Sequence, residues 1–189
     1  MLNNNIKTGD ILFRAATNNN LSSAINNVTK TSQNTSFSHI GIAERIDNKI
    51  FVIHSIPEHG VCKIPIKKFI NPSDSVYHDV YIYRLQDSLQ YTIATAITKA
   101  NMLIGNKYDY TYIMHNKGYY CSELIYEIFS EFDIFKLSPM TFKDPKTKTF
   151  QKTWVDHYKK LGIPIPEGEL GCNPNGMAIN KNLVFISKI

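Results

Sequence analysis

Cysteines, long apolar runs and a leader-like start are scarce or missing in this chain of 189 residues, and each shortage argues against a class of protein. The three cysteines, Cys62, Cys121 and Cys172, cannot all pair, so at least one thiol is free and a disulfide scaffold is disfavoured. No apolar run approaches the roughly 20 residues that span a bilayer. Residues 1–5 lack the basic and apolar regions of a signal peptide. We therefore expect a cytoplasmic protein, or a periplasmic or secreted one if a signal segment has been removed.

Motifs for several other chemistries are missing as well. The chain has no G-x-S-x-G elbow of the serine hydrolases and no glycine-rich phosphate loop. The net charge is +5, but the basic residues are scattered, which suits a solvated surface or a weak attraction to anionic cell-wall or lipid groups. Nucleic-acid binding would need a tighter basic stripe. We expect no nucleic-acid partner and no cofactor.

The residues that are present predict one folded domain, 1–189, of the α+β class. An apolar fraction of 43% and an aromatic fraction of 12% suit a globular core. The spacing of apolar residues predicts helices over 21–28, 93–103 and 154–161, and one that begins at residue 121. Apolar runs bounded by turn residues predict a hairpin over 37–55 and strands over 11–13, 60–66, 76–85 and 183–186. Together these elements predict a mostly antiparallel sheet with helices packed on it.

Cys121 is the most informative residue. Cys121, Leu124, Ile125, Ile128 and Phe132 have the spacing of one helix face, so the thiol lies in the first turn and faces the rest of the protein. The free N–H groups and the positive dipole end of a helix favour a thiolate, so we expect a lowered pKa for this thiol. The same N–H groups can bind an oxyanion that forms on a carbonyl under attack. A small buried cysteine that only fills space is the common alternative.

The predicted hairpin brings two histidines together. With Asp47 and Asn48 as the turn residues, Gly41 lies opposite His54, and His39 is then a diagonal neighbour of His54 on the same sheet face. Gly41 leaves space between the two rings. A slip of one residue would put the histidines on opposite faces, so the pairing depends on the turn.

A thiol, a base and an orienting group are the parts of a thiol hydrolase. His39 would take the proton of Cys121 and return it to the leaving group, and His54 would fix the tautomer and orientation of His39. A zinc site formed by His54, His59 and Cys62 is the rival use of these residues. Their spacing matches no usual zinc pattern and no fourth ligand is evident, so we predict a catalytic pair and no metal.

Several blocks of the sequence resemble known proteins. Residues 105–110 (GNKYDY) and 120–125 (YCSELI) resemble the nucleophile region of the NlpC-type papain-fold peptidases, in which a G-x-x-Y precedes a C-S-x-L motif. In that family the cysteine precedes the histidine strands, whereas here the histidines come first. This order resembles the circularly permuted branch, the YiiX-type hydrolases and, more distantly, relatives of lecithin retinol acyltransferase. The blocks that support it are residues 9–13 (GDILF), 38–42 (SHIGI) and 165–174.

The resemblance implies a circularly permuted papain-like, NlpC-like fold: an antiparallel sheet or half-barrel with helices packed on it. It implies Cys121 as the nucleophile, His39 as the base and His54 as the third polar residue. Many YiiX-type members have a glutamate at the third position, so His54 departs from that branch, although it matches unpermuted NlpC-type enzymes. Tyr108 matches a family tyrosine beside the nucleophile and is either an oxyanion donor or a packed aromatic. Asp10 matches a family position that a turn role explains equally well.

The predicted reaction is hydrolysis of an amide or ester through an acyl-enzyme on Cys121. The resemblance implies a short peptidoglycan-type peptide, a cell-wall fragment, as the substrate. An acyltransferase or lipase acting on acyl lipids is the alternative, although the chain offers no hydrophobic anchoring segment. A papain-fold module that binds in the same cleft without turnover is the third candidate. The sequence sets no oligomeric state.

Overall fold

A computed structural model describes residues 5–15, 28–29, 36–73 and 77–189. The longer strands are β1 (Ile11–Ala15), β2 (Phe37–Ile46), β3 (Lys49–Ile56), β4 (Gly60–Pro65), β5 (Val80–Leu85) and β8 (Leu183–Lys188). They form an open six-stranded sheet in the order β4-β3-β2-β1-β5-β8, and every neighbouring pair is antiparallel. The two-residue strands β6 (Ser138–Pro139) and β7 (Leu170–Gly171) pair separately.

Helices follow the sheet strands along the chain. They are α1 (Ile66–Ile70), α2 (Ile93–Met102), α3 (Cys121–Ile128), α4 (Lys152–Leu161) and α5 (Pro174–Ala178), with 3₁₀ turns at Asp87–Thr92 and Ser130–Phe132. The α+β class predicted from the sequence is confirmed, and of the two architectures considered the sheet is the open one. Within the described residues, every helix is too short or too polar to cross a lipid bilayer.

The β2–β3 hairpin has the predicted register. Its turn residues Asp47 and Asn48 have φ values of 46° and 62°, the left-handed region that these two residue types tolerate. Gly41 consequently pairs with His54. Side chains alternate between faces along a strand, so His39 and His54 lie on one face of the sheet.

The central strands are covered on both faces. On one face Phe13, Ile40 and Ile42 belong to the same buried cluster as residues of α2 and α3. On the other face Leu12, Val52 and others pack with the buried side chains of α1, among them Phe69. His39 and His54 share this second face, because their rings also lie against Phe69, at 5.7 and 5.4 Å between ring centroids.

Asp10 has a structural role at the start of β1. Its side chain is fully buried and accepts hydrogen bonds from the Lys7 backbone N–H at 2.7 Å and from Arg84 Nε and Nη2 at 2.6 and 2.8 Å. A carboxylate satisfied in this way fixes the entry to β1 against β5. The contacts agree with the turn role that the sequence allowed for Asp10.

Some predicted boundaries are wrong. The fourth strand ends at Pro65, because proline lacks the N–H that a sheet ladder needs, and Ile66 instead begins α1. The fifth strand begins at Val80, and the apolar face that was extended to Phe132 leaves the helix after Ile128. Asn173 caps α5 inside the segment that was predicted as turns only. The predicted helix over 21–28 lies outside the described residues except for its last position.

Candidate active site

Three contacts fix the start of α3 and therefore Cys121. Oε2 and Oε1 of Glu123 accept the backbone N–H groups of Tyr120 at 3.3 Å and His115 at 3.1 Å. The carboxylate thereby ties the preceding loop to the first helical turn, in the manner of a capping residue. Ser55 of β3 donates a hydrogen bond to the Tyr119 carbonyl at 2.5 Å. Helix, loop and sheet meet immediately before the thiol.

The thiol of Cys121 is largely buried, with 8% of the residue exposed. The backbone N–H groups of Ser122 and Ile40 hydrogen-bond to its sulfur and lower its pKa, but burial has the larger effect and raises the pKa from 9.0 to about 11. The lowered pKa expected from the helix start is therefore wrong. The helix N–H groups act in the expected direction, and desolvation of the thiolate outweighs them.

His39 and His54 form the predicted pair. Nε2 of His39 and Nδ1 of His54 are 2.8 Å apart, and the ring centroids are separated by 5.1 Å at an angle of 72°. Burial lowers the pKa of His39 well below its usual value and that of His54 to about 3, so both rings are neutral at pH 7. Because Nε2 of His39 is engaged by His54, only Nδ1 remains for a proton taken from elsewhere.

Cys121 and His39 line a single cavity of about 980 Å³. The hydrogen bond from the Ile40 N–H places the sulfur at the backbone of the residue next to His39. His54 is not part of the cavity wall and contacts His39 from the protein side, where its own Nε2 is buried without a hydrogen-bond partner among the described residues. The hairpin thus presents one imidazole to the cavity and keeps the other behind it.

Tyr108 also lines the cavity, beside a second tyrosine, Tyr112. The two hydroxyl oxygens are 3.4 Å apart. Burial raises the pKa of both phenols, to about 12 for Tyr112, and a negative charge on Cys121 raises them further, which places both near the sulfur. Both hydroxyls therefore remain protonated donors at neutral pH. Sequence reasoning found Tyr108 through the G-x-x-Y motif and missed Tyr112, which lies in no motif and has a φ of 56°.

The other two cysteines have different surroundings. Cys172 is buried in the cavity wall, where its backbone N–H donates to Tyr120 Oη at 3.3 Å and its carbonyl accepts from Ser122 Oγ at 3.1 Å. Cys62 lies on β4, half-buried and opposite His54 in the sheet register. Among the residues that the structure describes, no group of three or more His, Cys, Asp or Glu side chains is placed to hold a metal ion. The proximity of Cys62 and His54 therefore does not extend to a zinc site with His59.

Comparison with known proteins gives a family and a fold. Residues 5–187 match the family model described as permuted papain-like amidase enzymes, YaeF/YiiX. A crystal structure titled metalloprotein YiiX, from Escherichia coli O157:H7, is similar with a TM-score of 0.78 at 20% sequence identity, over 98% of each chain. No curated protein sequence matches the chain. At this identity the solved structure speaks for the fold, and its metal is a property of that protein.

Proposed function

Because this chain belongs to the family of permuted papain-like amidases of the YaeF/YiiX type, we propose that it hydrolyses an amide bond of a short peptidoglycan-type peptide through an acyl-enzyme on Cys121. The family membership establishes a cysteine amidase in general. The assignment of residues is supported by one observation above all, the cavity that Cys121 and His39 line together. His54, bonded to His39 at 2.8 Å, supports the base from behind.

In the proposed first step the sulfur of Cys121 attacks the carbonyl carbon while its proton passes to Nδ1 of His39. A neutral His39 suits this role, since burial holds its pKa well below the usual value and leaves a lone pair free at neutral pH. The tautomer that can accept the proton has hydrogen on Nε2, which then donates to Nδ1 of His54. His54 therefore selects the active tautomer of His39 without needing a charge of its own.

The developing oxyanion needs donors near the sulfur. The backbone N–H of Cys121 lies in the first turn of α3, where amide groups have no partner within the helix. The Tyr108 hydroxyl, kept protonated by burial, is the second donor we assign. The protonated His39 then gives its proton to the departing amine, which breaks the C–N bond and leaves the acyl group on sulfur. Water activated by His39 hydrolyses the thioester and restores the free thiol.

The substrate class rests on the family resemblance and on the shape of the site. A cavity of about 980 Å³ is large enough for several residues of a peptide. Its wall combines polar side chains near the thiol with aromatic ones further along, including Phe142 and Trp154. Acyl lipids are the second substrate class to test, because this aromatic part of the wall would accept an acyl chain.

The decisive experiment offers both classes of substrate to the same protein. Muropeptides, N-acyl amides and phospholipids are incubated with the wild type and with Cys121→Ala, and new amines and fatty acids are measured by mass spectrometry. Cys62→Ala, which removes a thiol outside the cavity, is the matched control. We expect new amines from muropeptides with the wild type and the control, and none with Cys121→Ala. Release of fatty acids without any muropeptide cleavage would assign the enzyme to acyl lipids instead.

A further inference from the structure

Arg14 is a cation in the wall of the active-site cavity. It lies on β1 directly opposite His39 of β2, so the two side chains share a sheet face. Its charge lowers the pKa of His39 and His54 and also that of Cys121. A guanidinium with this reach lies close to the reacting atoms.

The guanidinium of Arg14 has few partners. Its only hydrogen bond to the described residues runs from Nη1 to the Phe69 carbonyl at 3.3 Å, and the group lies over the Phe69 ring at 5.0 Å. Nε is buried and has no hydrogen-bond partner within the described part of the chain. Arg84 provides the contrast, because its Nε and Nη2 both bond to the carboxylate of Asp10.

A buried guanidinium without a carboxylate is an incomplete arrangement. None of the described Asp or Glu side chains forms an ion pair with Arg14, and Glu58, whose charge acts on it across the cavity, is exposed. Burial lowers the pKa of Arg14 to about 10, the mark of a cation that has lost water without gaining a counter-ion. The planar fork of arginine, with Nε–H and Nη2–H unused, matches the two oxygens of a carboxylate.

We propose that Arg14 binds a carboxylate of the substrate, close to the amide bond that Cys121 attacks. The inference rests on the proposed function and deepens it, since it selects acidic peptides among the amides that the cavity would accommodate. The acid would enter the free edge of the guanidinium, while Phe69 holds the opposite side in place. Arg14 is then a specificity residue, which touches substrate and takes no proton.

A purely structural role for Arg14 makes a different prediction. If the side chain only fastens β1 to α1 through Phe69, replacing it would affect charged and neutral reagents alike. If it binds an anion, replacing it would affect the charged reagent alone. The ratio of the two rates separates these roles and cancels any general change in thiol reactivity.

Two alkylating probes supply this ratio. N-chloroacetyl-glycine and N-chloroacetyl-glycinamide differ only in a carboxylate against a carboxamide, and both form an S–C bond with loss of chloride. The labelled Cys121 peptide is quantified by mass spectrometry, and each rate is divided by that of free N-acetylcysteine. For the wild type we expect the carboxylate probe to be preferred by about 10- to 100-fold, the range of a charge-assisted hydrogen bond.

The variants locate the preference. Arg14→Gln should abolish it and Arg14→Lys should retain part of it, whereas Lys159→Gln, which removes the same charge from an exposed position on α4, should leave it unchanged. Equal normalised rates for the two probes in the wild type would overturn the proposal, even if Arg14→Gln did not fold. An unchanged preference in a folded Arg14→Gln would overturn it as well. Because alkylation needs no turnover, a failure to cleave muropeptides would reject the proposed function without touching this result.

Discussion

The resting state of Cys121 can be tested by the pH dependence of its alkylation. Burial raises the pKa of this thiol from 9.0 to about 11, and it lowers the pKa of His39 well below the usual value. Both shifts favour a neutral thiol beside a neutral imidazole over an ion pair. A rise of about two pKa units leaves roughly 100-fold less thiolate at any pH well below 9. Since the thiolate is the reactive form, alkylation should be slower by a similar factor.

The assay follows iodoacetamide labelling of the Cys121 peptide from pH 6 to pH 11, with N-acetylcysteine amide as the ordinary thiol. We expect the rate to keep rising beyond pH 9, where the reference thiol levels off. His39→Gln, which preserves the size of the side chain, should leave this profile nearly unchanged, because the resting imidazole carries no charge. A plateau below pH 8 that disappears in His39→Gln would refute the reasoning and show a thiolate–imidazolium pair.

Three further predictions concern the residues around the pair. His54→Phe should lower kcat of amide hydrolysis about tenfold or more with little change in KM, because His39 loses the partner that selects its tautomer; an unchanged kcat would assign His54 to packing. Glu123 has a pKa raised by burial from 4.5 to about 7, so its contribution to stability is fully present below pH 4.5 and is lost as the pH rises through 7. Urea unfolding of wild type and Glu123→Gln at pH 5 and pH 8 should therefore show the variant gaining up to about 3 kcal/mol relative to wild type at the higher pH, and an equal difference at both would contradict this. Tyr108→Phe should lower kcat by about 10- to 100-fold if its hydroxyl holds the oxyanion, with Tyr112→Phe as the control that removes the neighbouring hydroxyl; similar small losses in both would mean packing alone.

The parts of the site that follow from strand parity and helix spacing could be predicted from the sequence. Asp47 and Asn48 set the turn, the turn sets the register, and the register sets the pairing of His39 with His54. The position of Cys121 in the first turn followed from the spacing of the apolar residues after it.

Other properties depend on contacts that no local pattern records. The pKa of Cys121 is set by how deeply the sheet, α3 and the cavity wall bury it, so a rule about helix ends gave the wrong direction. Arg14 became part of the site only through the pairing of β1 with β2, which joins segments that are distant in sequence. Tyr112 depends on the path of an irregular loop. The capping of α5 by Asn173, followed by Pro174, did have a readable signature that was passed over.

The hairpin turn gives the cavity an unexpected point of vulnerability. Asn48 lies six residues before His54, about 20 Å along an extended strand, and contributes nothing to the chemistry. An insertion of a single amino acid there would nonetheless rotate every following side chain of β3 to the reverse surface and remove the support of the base. Substitutions at this bend should be well tolerated, whereas changes in its length should inactivate the enzyme, so loss of function would map to a site remote from any reacting atom.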